Sequence, residues 1–260
     1  MANTTRGHSS ELIGHIRAFN KHRFLIDEVY YNLRGSGEVE EIPKVDLIEI
    51  GRDKFDPSMR QMVLKYDSVV LGEGDTANLF VSGLDQLYEV AAEAAKIFTT
   101  LLKSDLASVL VASSIFPDIA RRIHLAPLKG RDRAAEKARD DYSSRADGPG
   151  EAWLYDIVRG SIECDTQDQI CAIVAALREL HPRVQIVRLK NRFKNPTPSG
   201  FRDVNMNLRI EVGGTGVFHL CELQIHLKAI YDFNYENHSH HHYEVWYEVC
   251  VSVCWCVWLI

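Results

Sequence analysis

A run of basic side chains with no acidic residue among them lies between residues 183 and 202. The six cations are Arg183, Arg188, Lys190, Arg192, Lys194 and Arg202. If the segment VQIVRLKNRF is a strand, its alternation places Arg188, Lys190 and Arg192 on one face of a sheet. Such a row of cations suits a polyphosphate or a nucleic-acid backbone. A solvated edge strand is the alternative interpretation.

Two carboxylates lie inside otherwise apolar segments. Asp156 stands within WLYDIV and Glu222 within LCELQI. A carboxylate in the middle of a buried strand is costly unless a cation or a metal ion compensates its charge. Two such acids on neighbouring strands could share one Mg²⁺, which prefers carboxylate and phosphate oxygens. The alternative is that each acid faces solvent or pairs with an arginine.

Two lysines, Lys129 and Lys137, are separated by eight positions in the charged segment KGRDRAAEKARDDY. Eight residues span a little over two helical turns, so in a helix both ammonium groups could reach the same side. There they could hold one phosphate chain. A charged surface helix with no ligand is the alternative.

The elements that must position these groups follow from hydrophobic periodicity. Apolar residues at three- and four-residue steps predict an amphipathic helix over 84–102, with Ser82 as its N-cap and a second short helix through Val111. The charged segment 129–142 is predicted to be a helix. Strands are predicted at 153–164, 184–193, 201–210 and 217–226, with a helix over 166–181 between the first two, capped by Thr166 and ended by Pro182.

This β-α-β-β-β order predicts an α/β (α+β) fold, with a mixed sheet flanked by helices and a mostly helical N-terminal region. We expect three parts: residues 1–125 of unknown role, a domain over 126–248, and an apolar tail over 249–260. The tail is shorter than the ~20 residues that cross a bilayer. It is predicted to be a buried terminal strand or a non-native chain end, with a peripheral membrane anchor as the alternative.

Composition narrows the class of protein. Hydrophobic residues make up 46% of the 260 positions and charged residues 25%, which excludes a largely disordered, collagenous or multi-span membrane protein. The net charge of −6 argues against capture of nucleic acid by the whole surface. Six cysteines are too few for a disulfide scaffold, and the N-terminus has no secretory pattern. A cytoplasmic location without a transmembrane span is therefore expected.

Four ordered blocks together resemble the synthetase domain of the RelA/SpoT family, which makes the alarmones (p)ppGpp on a nucleotidyltransferase-like fold. The blocks are the two lysines eight positions apart, DIVRGSI, LKNRFKNPTPSGFRDVN and CELQIHL. The third block aligns without a gap with the family pattern KDYIxxPKxNGYxSLH, and the fourth with EVQIRT. The resemblance spans residues 127 to about 246.

The resemblance implies a role for each matching residue. Asp156 and Glu222 would be the Mg²⁺-linked catalytic carboxylates, with Glu222 also the candidate base for the acceptor hydroxyl. The expected ATP and phosphate contacts are Lys129, Arg131, Lys137, Arg159, Lys190 and Arg192. The expected acceptor contacts are Phe201, which would stack on guanine, together with Asn205, Gln224 and His226.

Several positions depart from the family patterns. Pro127 replaces a leading basic residue, for which Arg131 or Arg133 could compensate. Further replacements are Arg159 for glycine, Ser161 for arginine, Thr197 for lysine, Ser199 for asparagine, Asn205 for histidine and His226 for arginine. An aromatic platform survives at Phe201, where base stacking contributes ~1–3 kcal/mol.

The predicted activity is Mg²⁺-dependent transfer of pyrophosphate from ATP to the 3′-hydroxyl of GDP or GTP. A catalytically inactive nucleotide- or RNA-binding module is the first alternative, and a pyrophosphokinase acting on a tRNA 3′ end is the second. No histidine is followed by aspartate, so the metal motif of the family's hydrolase half is missing and alarmone degradation is not expected.

Two rival sites lie near the end of the chain. His238, His240, His241 and His242 form a dense cluster that could bind Zn or Ni, with a polar loop as the alternative. The second group is Cys250, Cys254 and Cys256, which lacks a matched second pair of ligands. Buried thiols are the better interpretation there.

Overall fold

The structure is a computed structural model that describes residues 59–61, 83–143, 149–197, 201–214 and 216–236. Its strands are β1 (Ile123–Leu125), β2 (Arg159–Cys164), β3 (Val184–Asn191), β4 (Val204–Val212) and β5 (Val217–Leu227). They form one mixed sheet in the spatial order β1-β2-β5-β4-β3. Only β2 and β5 are parallel, and the other neighbouring pairs are antiparallel. The predicted mixed sheet is confirmed.

Helices precede, interrupt and follow the sheet. They are α1 (Leu84–Thr100), α2 (Ala107–Ala112), α3 (Ile119–Arg122), α4 (Arg131–Lys137), α5 (Gln167–Glu179) and α6 (Lys228–Glu236). Turns of π-helix at Leu101–Leu106 and Ala138–Tyr142 continue α1 and α4, and a 3₁₀ turn spans Gly150–Trp153. The predicted β-α-β-β-β order is confirmed by β2, α5, β3, β4 and β5.

The three- and four-residue spacing of α1 produces a buried stripe. Leu87, Ala91, Ala94 and Phe98 all lie in the core, as the sequence predicts. A Cβ atom on Gly160 of β2 would lie 3.2 Å from Cε1 of Phe98, so this glycine lets the helix approach the sheet closely. The predicted N-cap Ser82 lies outside the described residues.

The strand register gives the sheet two different faces. One cross-strand row consists of Gly160, Leu223, Met206 and Leu189, which belong to the apolar face. The neighbouring row consists of Arg159, Glu222, Asn207 and Arg188, and we call it the polar row. Since side chains alternate along a strand, the polar row lies on the opposite face.

A β-bulge in β3 decides where the basic residues point. The register shifts between Ile186 and Arg188. Strict alternation would put Arg188 and Lys190 on the same face as the core residue Ile186, but the extra residue moves both cations to the polar face. The prediction that these two share a face is thus confirmed. Arg192 directly follows the end of the strand, and its charge still acts on Arg188 and on His226, which alternates with Glu222 and Gln224 on β5.

Two further predicted boundaries are wrong. The apolar segment that precedes β2 was predicted to be part of a strand over 153–164, yet β2 begins only at Arg159. The backbone of this preceding segment pairs irregularly. The carbonyls of Ile157 and Val158 accept hydrogen bonds from the backbone N–H groups of Lys129 and Glu222, outside a regular ladder. Asp156 therefore lies in a connection and not in mid-strand.

The charged helix also begins later than predicted. Gly130 is the N-cap of α4, and Lys129 lies before the helix. Thr166 does cap α5, in a capping box with Gln169, as the sequence indicates.

Candidate functional site

Asp156 binds both of the predicted phosphate-binding lysines. Its Oδ2 atom accepts hydrogen bonds from Nζ of Lys129 at 2.9 Å and from Nζ of Lys137 at 2.8 Å. We call these three residues the lysine clamp. The two lysines are brought together by a connection and a helix, and not by one helical face as the spacing suggested. They nevertheless reach the same point, as that hypothesis requires.

The charges of the clamp stabilise one another. Burial by itself would raise the pKa of Asp156, but the ammonium groups of Lys137 and Lys129 outweigh it and hold that pKa below its usual range. Burial by itself would lower the pKa of Lys137, but the Asp156 carboxylate holds that pKa above its usual value, with a smaller contribution from Glu222. Asp156 and Lys137 are therefore both ionised around neutral pH.

Helix α1 supports the clamp from the side. The buried hydroxyl of Tyr88 donates a hydrogen bond to the backbone carbonyl of Lys129. The guanidinium of Arg131 lies over the Tyr88 ring, 4.6 Å from its centroid, and also pairs with Asp85 in the first turn of α1. Sequence reasoning missed Tyr88, because its position in the apolar stripe of α1 indicates only a core residue.

Glu222 has a different environment from Asp156. Its Oε1 atom accepts hydrogen bonds from the side-chain amides of Asn205 and of Gln224, the latter at 3.4 Å. All the hydrogen bonds that the structure shows for this carboxylate end on Oε1. The two carboxylates share a neighbourhood, since Lys137 interacts electrostatically with both. Glu222, Asn205 and Gln224, predicted to act at one site, are thus brought together.

The polar row places Glu222 between two arginines and an asparagine. Arg159 of β2 is its neighbour on one side and Asn207 of β4 on the other, followed by Arg188 of β3. The side chain of Asn207 is buried, and its Oδ1 accepts no hydrogen bond from any residue that the structure describes. Nothing in the sequence patterns singles out Asn207.

Two guanidinium nitrogens of the buried Arg188 lack a hydrogen-bond partner within the described ranges. Its Nε and Nη1 atoms donate to no described residue, and the guanidinium lies 5.2 Å from the centroid of the Tyr155 ring. Burial lowers the pKa of Arg188. Lys190, two positions later on the same face, is exposed. Strand β3 thus contributes one buried and one exposed cation to the polar face.

Arg192 is engaged by an acid that directly follows the basic run. Its Nη1 lies 3.0 Å from Oδ1 and 3.2 Å from Oδ2 of Asp203, and its backbone N–H donates to the Asp203 carbonyl. The Asp203 side chain is fully buried. Arg192 was predicted to contact phosphate, but in this structure its charge is already compensated.

The predicted stacking residue lies in an aromatic group. The ring of Phe201 contacts the ring of His226 edge-on, with centroids 5.9 Å apart, and His226 lies 5.2 Å from Tyr231. Burial lowers the pKa of His226 to about 4, so the imidazole is neutral at neutral pH. Thr197 closes the loop that carries Phe201, with its Oγ1 accepting from the Phe201 N–H.

The residues present fit the predicted Mg²⁺. Oδ1 of Asp156 is buried and accepts no hydrogen bond from any described residue, and Oε2 of Glu222 is not used in the bonds described above. Oxygen atoms of this kind suit Mg²⁺, so Asp156 and Glu222 would hold the ion. Across the described ranges, no group of three or more His, Cys, Asp or Glu side chains forms a metal site.

Other predicted features fall elsewhere. The histidine cluster, the three terminal cysteines, the apolar tail and most of the first 82 residues lie outside the described residues. Among the helices of the described part, none combines the length and the apolar character that a membrane span requires. Residues 123–125, which belong to the predicted N-terminal region, pair with β2 as strand β1.

Comparison with known proteins gives structural matches only. No family model matches the chain, and no curated protein sequence matches it. Small alarmone synthetase 1 from Bacillus subtilis, bound to its product pppGpp, is similar with 19% identity and a TM-score of 0.47, over 60% of this chain and 80% of that one.

Two further solved structures are similar. Small alarmone synthetase 2 from Bacillus subtilis matches at 18% identity and a TM-score of 0.46, over 62% of this chain and 80% of its own. A GTP pyrophosphokinase family protein from Streptococcus pneumoniae matches at 18% identity and a TM-score of 0.47, over 62% and 78%.

Proposed function

We propose that this protein transfers the β,γ-pyrophosphate of ATP to the 3′-hydroxyl of GDP or GTP and releases AMP. The observation that carries the proposal is the convergence of Lys129 and Lys137 on Asp156, with Lys137 also within electrostatic range of Glu222. Two ammonium groups at one carboxylate, with a second carboxylate in the field of Lys137, suit a crowded phosphate chain and its metal ion.

The clamp and the polar face would bind the donor. Lys129 and Lys137 carry positive charge where the phosphates of ATP must be neutralised, and the exposed Lys190 extends this charge along the sheet. Phosphoryl-type transfer needs little covalent help from the protein, so positioning and neutralisation supply most of the catalysis. Mg²⁺, when bound, would neutralise further charge on the phosphate oxygens.

The transfer itself can be written from the groups on this face. The 3′-oxygen of the acceptor attacks the β-phosphorus of ATP, and the bond from that phosphorus to the oxygen bridging the α- and β-phosphates breaks. AMP leaves with the bridging oxygen, and Oε2 of Glu222 takes the proton of the 3′-hydroxyl. Asn205 and Gln224 hold the other oxygen of the same carboxylate and thereby orient it. Phe201 would support the acceptor base.

The test is an incubation of the purified chain with γ-labelled ATP, Mg²⁺ and either GDP, GTP or total tRNA. We expect label on the guanosine nucleotide with matching release of AMP. Glu222→Gln keeps the shape of the side chain and removes the base, so turnover should fall by about 10²–10⁴-fold. Glu93→Gln is the matched control, because Glu93 is exposed on α1 and pairs with Lys96, outside the proposed contacts.

Each other outcome has a defined meaning. A fall of less than tenfold in Glu222→Gln would contradict the role of Glu222. Nucleotide binding without AMP release would identify a catalytically inactive binding module on this fold. Label on tRNA, weakened by salt, would instead identify a tRNA 3′ end as the acceptor.

A further inference from the structure

Asn207 is the most deeply buried polar group of the polar row, and its oxygen makes no bond there. The residue is 1% exposed. Its Oδ1 accepts no hydrogen bond from any residue that the structure describes. An amide oxygen buried in this way destabilises the folded chain unless a donor or a cation compensates it. A ligand at this position would remove that destabilisation.

The neighbours of Asn207 indicate the kind of ligand. Glu222 is its cross-strand partner on β5, and Glu222 in turn shares the field of Lys137 with Asp156. Oδ1 of Asp156 is a second buried oxygen that accepts no hydrogen bond within the described ranges. One orphaned oxygen thus lies cross-strand from Glu222, and the other belongs to a carboxylate that shares Lys137 with Glu222. Oxygen atoms of this kind favour a small hard cation over an anion or an apolar group.

The neighbouring cation does not take this role. Arg188 is the cross-strand partner of Asn207 on β3, and its guanidinium could donate to an amide oxygen. It lies instead over the ring of Tyr155, and its own Nε and Nη1 remain without acceptors among the described residues. The Asn207 oxygen therefore has no donor among the residues that the structure describes, and it is available to a bound ligand.

We infer that Asn207 is a third oxygen ligand of the divalent cation, together with Asp156 and Glu222. The inference rests on the proposed function in one respect, because that function requires Mg²⁺ at the two carboxylates. It adds a neutral amide from a third element of the fold, β4, at a position that the sequence motifs do not indicate. An octahedral ion with few protein ligands accommodates amide oxygens alongside carboxylates.

The experiment measures cation binding and not turnover. Mn²⁺, which shares the oxygen preference of Mg²⁺, is titrated into the full chain, with and without the ATP analogue AMPCPP, and free Mn²⁺ is followed by electron paramagnetic resonance. Asn207→Leu replaces the amide by an apolar group of similar size, so folding should survive. We expect it to weaken Mn²⁺ binding by tenfold or more. Asn207→Asp should restore or exceed the affinity of the unsubstituted chain.

A matched control separates cation binding from general damage. Asn191 is also a buried asparagine of this sheet, but its Oδ1 accepts from the backbone N–H groups of Phe193 and Lys194. Asn191→Ala should lower thermal stability and leave Mn²⁺ affinity within twofold. The inference fails if Asn207→Leu binds Mn²⁺ as tightly as the unsubstituted chain, or if that chain shows no saturable Mn²⁺ binding. Normal Mn²⁺ binding without pyrophosphate transfer would count against the proposed function alone.

Discussion

Two buried aspartates, Asp156 and Asp203, lie near the same sheet face, and their pKa values are shifted in opposite directions. Each one accepts hydrogen bonds from cationic side chains. The pKa of Asp156 is lowered by the two lysines of the clamp, whereas burial raises the pKa of Asp203 to about 6 in spite of Arg192. One carboxylate is held ionised far into the acid range, and the other takes up a proton near pH 6.

The difference shows how much compensation a buried carboxylate needs. Two ammonium groups contact Asp156, while a single nitrogen of Arg192 contacts Asp203. Asp203 is also completely shielded from solvent and feels the like charge of Glu222. The attraction within one ion pair does not repay the loss of hydration in such a place. The clamp is thus a preformed charge cluster, and the Arg192–Asp203 pair is a marginal one.

The largest expected effect comes from breaking the clamp with Asp156→Asn. The substitution keeps the shape of the side chain but leaves two partly buried ammonium groups without a counter-charge. We expect the free energy of unfolding at pH 7 to fall by about 3–5 kcal/mol, measured by urea denaturation. Because the folded-state pKa of Asp156 is lowered, the unsubstituted chain should lose this contribution only in acid, as the carboxylate protonates.

Asp165→Asn is the control for that measurement. Asp165 accepts a bidentate pair of hydrogen bonds from Arg122 at an exposed position, where ion pairs contribute at most about 1 kcal/mol. If Asp156→Asn costs no more than Asp165→Asn, the clamp is not the stabilising cluster that its geometry indicates.

The second prediction concerns the pH dependence of Asp203. A raised folded-state pKa means that the folded chain holds this proton more tightly than the unfolded chain, between about pH 4 and pH 6. Its contribution to stability is present below that range and is lost as the pH rises through about 6. Asp203→Asn removes the contribution. Between pH 4 and 6, the free energy of unfolding of the Asp203→Asn chain should therefore rise more steeply with pH than that of the unsubstituted chain. The difference in slope should be up to ~1.4 kcal/mol per pH unit.

Two buried histidines change the stability with pH in the direction opposite to Asp203. The effect of Asp203 must therefore be obtained by comparing the Asp203→Asn chain with the unsubstituted chain. Burial lowers the pKa of His219 to about 3 and that of His226 to about 4. Both favour the folded state increasingly as the pH rises toward 6.5, in either chain. Subtracting the two stability profiles isolates Asp203. Parallel profiles between pH 4 and 6 would show that Asp203 is ionised normally.

The sequence predicted most of the helices and strands, and of the two aspartates compared here it predicted the importance of Asp156 only. Hydrophobic periodicity located α1 and the order of strands, and the costly burial of a charge singled out Asp156 and Glu222. It could not show that a bulge after Ile186 turns Arg188 toward the polar face, because strict alternation is the only rule that a lone strand provides. Nor could it show that Asp203 neutralises Arg192, since that contact joins the two sides of a loop.

Asn207 and Tyr88 could not be predicted from the sequence, because no motif or costly charge distinguishes them. Asn207 and Tyr88 are ordinary members of a strand and of an amphipathic helix when read along the chain. Their significance comes from register and packing: Asn207 lies beside Glu222 only because β4 and β5 pair in one register. A one-residue slip would place the asparagine on the apolar face.

The smallest effect is expected from Tyr88→Phe, which weakens the support of the clamp around Asp156 and leaves the surroundings of Asp203 unchanged. The substitution removes the hydroxyl that donates to the Lys129 carbonyl and keeps the ring beneath Arg131. The loss of one partly buried hydrogen bond should lower the free energy of unfolding by about 1 kcal/mol. Since Lys129 then loses its support, AMPCPP should bind several-fold more weakly in calorimetry.

Two comparisons decide whether Tyr88 acts through the clamp. Asp85→Asn removes only the exposed ion pair to Arg131, so AMPCPP affinity should stay within twofold of the unsubstituted chain. The pH profile of stability between pH 4 and 6 should be unchanged in Tyr88→Phe, because α1 supports the clamp and not the Arg192–Asp203 pair. If Tyr88→Phe lowers stability and leaves AMPCPP affinity intact, the hydroxyl is a packing feature of α1, and the position of Lys129 is fixed by Asp156 alone.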